Sequence, residues 1–144
     1  IESAADAEAY LARLDAFARE LGHETARARD DLGRGTVPPD FVCDKTLAQL
    51  KALRAQSGEK SGLATSLVRR TGARGIAGDW GARAERIVDG PIAGALDAQI
   101  ALVAEQRARA SHEAGVRARP GGEARPARPP HSAVRPTAPT TVSM

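Results

Sequence analysis

The first third of the chain carries one continuous stripe of apolar and small residues. They recur at steps of three and four, the spacing of positions on one face of an α-helix. Its members are Ala7, Leu11, Leu14, Ala18, Leu21, Thr25, Ala28 and Leu32. The pattern predicts a helix from about Ala4 to Leu32, with Ser3 and Asp6 as a capping pair at its start. Gly33 and Gly35 are expected to end it.

Two adjacent prolines, Pro38 and Pro39, follow this first segment. Proline fixes φ at about −65° and lacks an N–H, so it suits the first turn of a helix and not its interior. The stretch therefore predicts a turn, with a second helix beginning at Pro39. Its apolar positions are Phe41, Val42, Thr46, Leu47, Leu50 and Leu53. So short a turn predicts an antiparallel helix pair. The residues expected to meet across a dry seam are Leu14, Leu21, Leu47 and Leu50.

The middle of the chain reads as further helices separated by loops. A loop over 57–62 precedes a short helix from Leu63 to Gly72, and a later helix runs from Trp80 to about Ala110. Pro91 interrupts that later helix, and either begins a separate helix or kinks one long helix. No run alternates apolar and polar residues as a strand does. The predicted fold is all-α, a helical bundle beginning with an antiparallel helix pair, plus a disordered C-terminal tail.

The tail, residues 117–144, differs from the rest in composition. It holds six of the nine prolines and no Leu, Ile, Phe, Tyr or Trp, which predicts disorder and a helical domain limited to 1–116. Five arginines and one acid give the tail a net charge of +4, leaving −1 for the remainder. The tail lacks lysine and aromatic residues, so nucleic-acid binding is the least favoured of the functions considered.

We also expect no membrane span, because no uninterrupted apolar run approaches about 20 residues.

Candidate chemistry is sparse. His23 begins a stretch similar to a zinc-binding His-Glu-x-x-His helix, but Arg27 occupies the second ligand position. His112 lacks a second ligand in the same way, with Val116 at that position. Cys43 is a lone cysteine in a helical pattern and is expected to be a buried structural residue. The glycine-rich stretch 72–78 is not a phosphate-binding loop, because no Gly-Lys-Ser/Thr follows it. The sequence predicts no catalytic, cofactor-binding or metal-binding residues in this chain.

Four stretches of the chain nevertheless resemble a known family. "AYLARLDAF", "GTVPPDFVCDKTLAQL", "WGARAERIVDGPIAGALDAQIALV" and "HEAGV" are similar in order and spacing to the N-terminal helical half of the bacterial proteins grouped as domain of unknown function 885. The matching positions are Tyr10, Leu11, Leu14, Gly35, Pro38, Pro39, Pro91, Gly115, Val116, Pro120, Gly122 and Glu123. The resemblance covers about residues 1–124.

The resemblance implies a fragment of a larger protein. The family is similar to helical zinc metallopeptidases of the zincin type, and its members are several hundred residues longer. Their zinc-binding motifs lie far downstream and do not occur here, so zinc is implied only for the full-length family. The partner implied is the missing C-terminal region of the parent protein. After Glu123 the family pattern is lost, and the run from Arg125 resembles GC-rich coding sequence read out of frame.

Two other functions remain open on the sequence. The chain could be a small helical interaction module whose apolar stripe binds a partner helix. It could also be a nucleic-acid-associated helical protein that uses its arginine-rich tail.

The missing ligand pairs generate a first prediction. Because a tight zinc site needs three or four His, Cys, Asp or Glu ligands held together, the purified chain should retain no stoichiometric zinc and should not turn over peptides. Metal analysis after dialysis against a weak chelator checks this. Stoichiometric zinc in the dialysed protein would refute it.

Overall fold

The computed structural model describes residues 1–113, and every regular element among them is helical. The helices are α1 (Ala4–Gly33), α2 (Asp40–Arg54), α3 (Gly62–Ala73), α4 (Trp80–Ile87) and α5 (Ala93–Arg109), with a 3₁₀ turn at Gly58–Lys60 and a π-helical turn at Val88–Ile92. The predicted all-α fold is confirmed. The predicted tail and the division at residue 117 lie outside the described residues.

The start of α1 has the predicted capping box. The Asp6 amide donates to Ser3 Oγ at 3.2 Å, and the Ser3 amide donates to Asp6 Oδ2 at 3.1 Å. These two hydrogen bonds satisfy amides that a helix end leaves without partners. At the other end Gly35 takes φ +78°, a conformation that residues with a Cβ rarely adopt. α1 therefore begins at the predicted residue, Ala4, and ends one residue after the predicted end, at Gly33.

The proline pair begins α2 as the sequence predicts, shifted by one residue. Pro39 is the N-cap, and its carbonyl accepts hydrogen bonds from the amides of Val42 and Cys43. The first helical residue is Asp40, whose negative charge is favourable at the positive end of the helix dipole.

Pro91 lies inside one long helix. The chain from Trp80 to Arg109 is helical throughout, and the π turn Val88–Ile92 contains the proline. A proline in a regular α-helix clashes with the carbonyl four residues earlier, and single π turns occur inside α-helices where the regular hydrogen-bond ladder is interrupted. Of the two alternatives that the sequence leaves open, the structure has the single continuous helix. We call α4, the π turn and α5 together the kinked helix.

By length and composition alone, the kinked helix is long and apolar enough to cross a membrane. The sequence predicted no membrane span because it contains no uninterrupted apolar run of about 20 residues. In the structure Pro91 does not interrupt the helix, so the apolar residues on both sides of it belong to one helical segment. Core helices pass the same test, and this helix packs against α1, α2 and α3. Its larger apolar residues, including Ile92, Leu96 and Leu102, are buried within the bundle.

All other helices pack against the kinked helix. α1 follows it in the same direction, because Glu8 near the start of α1 binds Arg83 at 2.6 Å and Arg29 lies 3.9 Å from Glu105. α3 packs on α4, and α2 packs on α5. The first half of the kinked helix therefore holds α3 and the second half holds α2, with α1 alongside both.

The predicted seam between α1 and α2 is wrong. The two helices run in opposite directions, as expected, but they make almost no direct contact, and each packs on α5 instead. Buried residues of the kinked helix spread over a broad part of its circumference, including Ile92, Leu96 and Leu102, so it accommodates both neighbours. Leu14 is buried in the main core, and Leu21 and Leu50 are half-buried against that core. These residues do not form a separate seam between α1 and α2. A short connection determines direction but does not require contact.

The core is built mainly from aliphatic and small residues. Ala7 of α1 and Ala84 of α4 are fully buried, and alanines at such positions let helix backbones approach closely. Trp80 is the one buried aromatic residue among those described. The main cluster comprises Ala7, Leu11, Leu14, Ala18, Ala64, Leu67, Trp80, Ala84, Val88, Ile92 and Leu96.

Two neighbouring positions of α3 test this packing. Leu67 is 0% exposed and Val68 is 48% exposed. Leu67→Ala should lower the free energy of unfolding by about 2–5 kcal/mol, because it leaves a cavity in the core. Val68→Ala should change it by only about 0.5 kcal/mol, as is usual for surface positions. Urea denaturation of the two variants measures both values, and equal losses would contradict the described core.

Candidate interaction surface

α2 is attached to the bundle by a single face. Cys43 is the only buried residue in its 15-residue length, and Leu47 and Leu50 are half-buried on the same side. The adjoining side, which we call the α2 flank, comprises Val42, Thr46 and Leu53. Val42 is 40% exposed and Leu53 is 37% exposed. They are eleven residues apart, about three helical turns, and so lie on one line along the helix. The flank is a partly exposed strip with an apolar side chain at each end.

Ion pairs hold α2 in place along α5. Arg54 donates to both carboxylate oxygens of Asp97, at 2.8 and 3.1 Å, near one end of the contact. Arg107 donates to Asp44 at 2.6 Å near the other end. These hydrogen bonds raise the pKa of Arg54 and of Arg107. Exposed pairs of this kind add little stability, but two of them at opposite ends restrict the register and rotation of the helix.

The start of α2 is also joined to the chain that follows α5. The Asp40 amide donates to the Ser111 carbonyl at 3.0 Å, and Asp40 Oδ1 lies 2.9 Å from Nδ1 of His112. The His112 ring packs edge-on against Phe41, with the ring centroids 5.6 Å apart. We call these four residues the helix junction. It brings together positions about 70 residues apart in the sequence.

The charge of Asp40 depends on the helix junction. Partial burial acts to raise the pKa of this carboxyl, but hydrogen bonds from the Phe41 amide and His112, with the positive charges of His112 and Arg107, outweigh it. The pKa of Asp40 therefore lies below its ordinary value. The carboxylate form is the one that the junction stabilises.

The residues singled out in the sequence are not brought together. Cys43 is buried, its thiol lies 3.8 Å from the Pro38 carbonyl, and burial raises its pKa, as for an unreactive structural cysteine. His23 is on the exposed side of α1, 3.4 Å from Glu20. His112 lies in the helix junction, against Asp40 and Phe41. Within residues 1–113, no group of three or more His, Cys, Asp or Glu is placed to hold a metal ion. The residues described here do not fit the zinc that the family resemblance implies.

The glycine-rich stretch between α3 and α4 supports Trp80. Gly78 takes φ +154°, and a Cβ there would come within 2.6 Å of the Trp80 ring. The indole N–H donates to the Ile76 carbonyl at 3.2 Å, and the Arg83 guanidinium lies 5.3 Å from the ring centroid. Gly78 thus leaves room for a core aromatic residue, in agreement with the interpretation of the stretch as a loop between helices.

The comparison with known families gives a direct result. Residues 1–129 match the family described as "Bacterial protein of unknown function (DUF885)". The chain belongs to this family. No curated protein and no solved structure matches it.

The lowered pKa of Asp40 gives a prediction for the helix junction. A carboxyl with a depressed folded pKa contributes stability that is fully present above its unfolded pKa, about 3.9, and is lost as the pH falls through the folded value. Amide-exchange protection at Asp40 should therefore decrease on acidification in the wild-type chain.

In the Asp40→Asn variant, the amide at position 40 should already be weakly protected from exchange at neutral pH. On acidification it should lose no more protection than the other amides of the chain lose. Asp30→Asn, an exposed position on α1, is the matched control and should behave as wild type. Identical pH profiles for wild type and Asp40→Asn would show that the carboxylate does not hold the junction.

Proposed function

We propose that this chain is the non-catalytic, helical N-terminal part of a larger protein that resembles zinc metallopeptidases, and that it binds the remainder of that protein through the α2 flank. The first part rests on the motifs that resemble the N-terminal half of the family, among them Tyr10, Pro38, Pro39 and Pro91. Any zinc chemistry would reside in the downstream region. This chain would supply helices beside a substrate cleft.

The observation that carries the proposal is the exposure of Val42 and Leu53 on one line of α2. Fully burying an aliphatic side chain of this size contributes about 1.5–3 kcal/mol, and at 40% and 37% exposure Val42 and Leu53 leave part of that contribution unused. A strip with apolar side chains at both ends, three turns apart, is suited to receive a helix or an extended segment. The single attached face of α2 leaves this strip accessible.

A second function uses the same surface. The α2 flank is equally suited to a helix from a different protein, and the chain would then be a free-standing interaction module. The two functions differ in where the partner is encoded. A partner in the parent protein must lie downstream in the same gene.

The test begins with the DNA that follows the Met144 codon. If the proposal is right, one of the reading frames there encodes a helix with a His-Glu-x-x-His motif. The polypeptide encoded there should bind this chain in a calorimetric titration. Leu53→Asp should weaken that binding at least about tenfold, a loss of about 1.4 kcal/mol.

Val68→Asp is the matched control, because Val68 is an exposed valine on α3, away from the α2 flank. It should leave the affinity unchanged. The absence of a metal-binding motif in every downstream frame would overturn the metallopeptidase part of the proposal. Binding that Leu53→Asp and Val68→Asp weaken equally would overturn the choice of surface.

A further inference from the structure

Within residues 1–113, α2 packs on a single helix and is held there by few buried groups. Its neighbour is α5, whereas α1 packs on α3 and on every part of the kinked helix. Cys43 is the one buried residue of α2, against six in α1 and three in the shorter α3. Because local stability follows the amount of buried apolar contact, α2 is the least firmly held of these three helices.

The chain is anchored in a glycine turn on each side of α2. Gly35, at φ +78°, donates its amide to the Leu32 carbonyl at 3.1 Å. Gly58, at φ +53°, donates its amide to Oδ1 of Asp89 in the π turn at 2.9 Å. Neither hydrogen bond involves α2. The segment 37–57 can therefore leave α5 while the chain on either side keeps its place in the bundle.

The ion pairs between α2 and α5 are open to solvent. The side chains of Arg54 and Asp97 are 37% and 57% exposed, and those of Arg107 and Asp44 are 40% and 57% exposed. At about 1 M salt the screening length is only about 3 Å, so exposed pairs of this kind lose most of their attraction. Salt should therefore weaken the attachment of α2 at both ends of its contact with α5.

We propose that α2 is a salt-sensitive arm, which detaches from α5 as a unit while α1, α3 and the kinked helix stay folded. Detachment breaks the helix junction and uncovers the inner side of α2, with Cys43. It also uncovers the facing side of α5, where half-buried Ile100 lies at helical spacing between Asp97 and Arg107. The arm goes beyond the proposed function and does not depend on it, since the α2 flank belongs to the docked helix.

The full chain carries one cysteine and one tryptophan, which report the arm and the rest of the bundle separately. Cys43 is 1% exposed, so its thiol reacts only after α2 opens, and Trp80 fluorescence follows unfolding of the core. Dithiodipyridine, a neutral disulfide reagent, should label Cys43 at least about tenfold faster than the bundle unfolds, because a local opening needs less free energy than global unfolding. Labelling, normalised to the rate of the urea-unfolded chain, should rise about threefold between about 0.05 and 1 M sodium chloride.

Arg54→Gln combined with Arg107→Gln should speed labelling at low salt by about threefold and remove most of the salt response. Arg83→Gln is the matched control, because it removes a similarly exposed pair, Arg83 with Glu8, that joins α4 to α1. It should leave both the labelling rate and its salt response unchanged.

Labelling no faster than the unfolding reported by Trp80 would overturn the proposal, because α2 would then open only with the whole bundle. Equal effects of the double variant and of Arg83→Gln would also overturn it, because the pairs on α2 would then have no particular control over the opening.

Discussion

The broad apolar surface of the kinked helix is the constraint on which the structure depends. α1, α2 and α3 pack against it, and α1 and α2 hardly contact one another. Continuity through Pro91 is essential, because a break there would separate the half that holds α3 from the half that holds α2. The π turn preserves helical direction where proline prevents a regular α-helical ladder. A small bundle with few aromatic residues thus obtains one shared core from a single 30-residue helix.

α2 contrasts with the other helices in how it is held. α1 and α3 bury several residues each, whereas α2 buries only Cys43 and is positioned by ion pairs to Asp97 and Arg107. Charged pairs of this type define geometry more than they add stability. A helix that is well positioned but weakly buried keeps apolar side chains available to a partner. The α2 flank and the helix junction are both consequences of this peripheral attachment.

The candidate surface could be predicted only in part. Phe41, Val42 and Leu53 are apolar positions in the helical pattern, and the sequence placed them with the stripe expected to pack inward. The structure leaves all three substantially exposed. Periodicity shows that a helix has an apolar side, but it does not show how much of that side a neighbour covers. The contact between His112 and Asp40 has no local signal, because it depends on where α5 ends relative to the start of α2.

The sequence by itself determined the features that arise from interactions between near neighbours in the chain. The capping box at Ser3, the proline start of α2 and the glycine-rich turn before Trp80 were all predictable, since each depends on backbone sterics and hydrogen bonds over a few residues. Only the tertiary structure decided that Pro91 lies within a continuous helix and that α2 packs on α5 instead of α1. Those outcomes depend on competition between apolar surfaces distant in the sequence. Such competition is settled by which arrangement buries the most area at good packing, a property of the whole bundle.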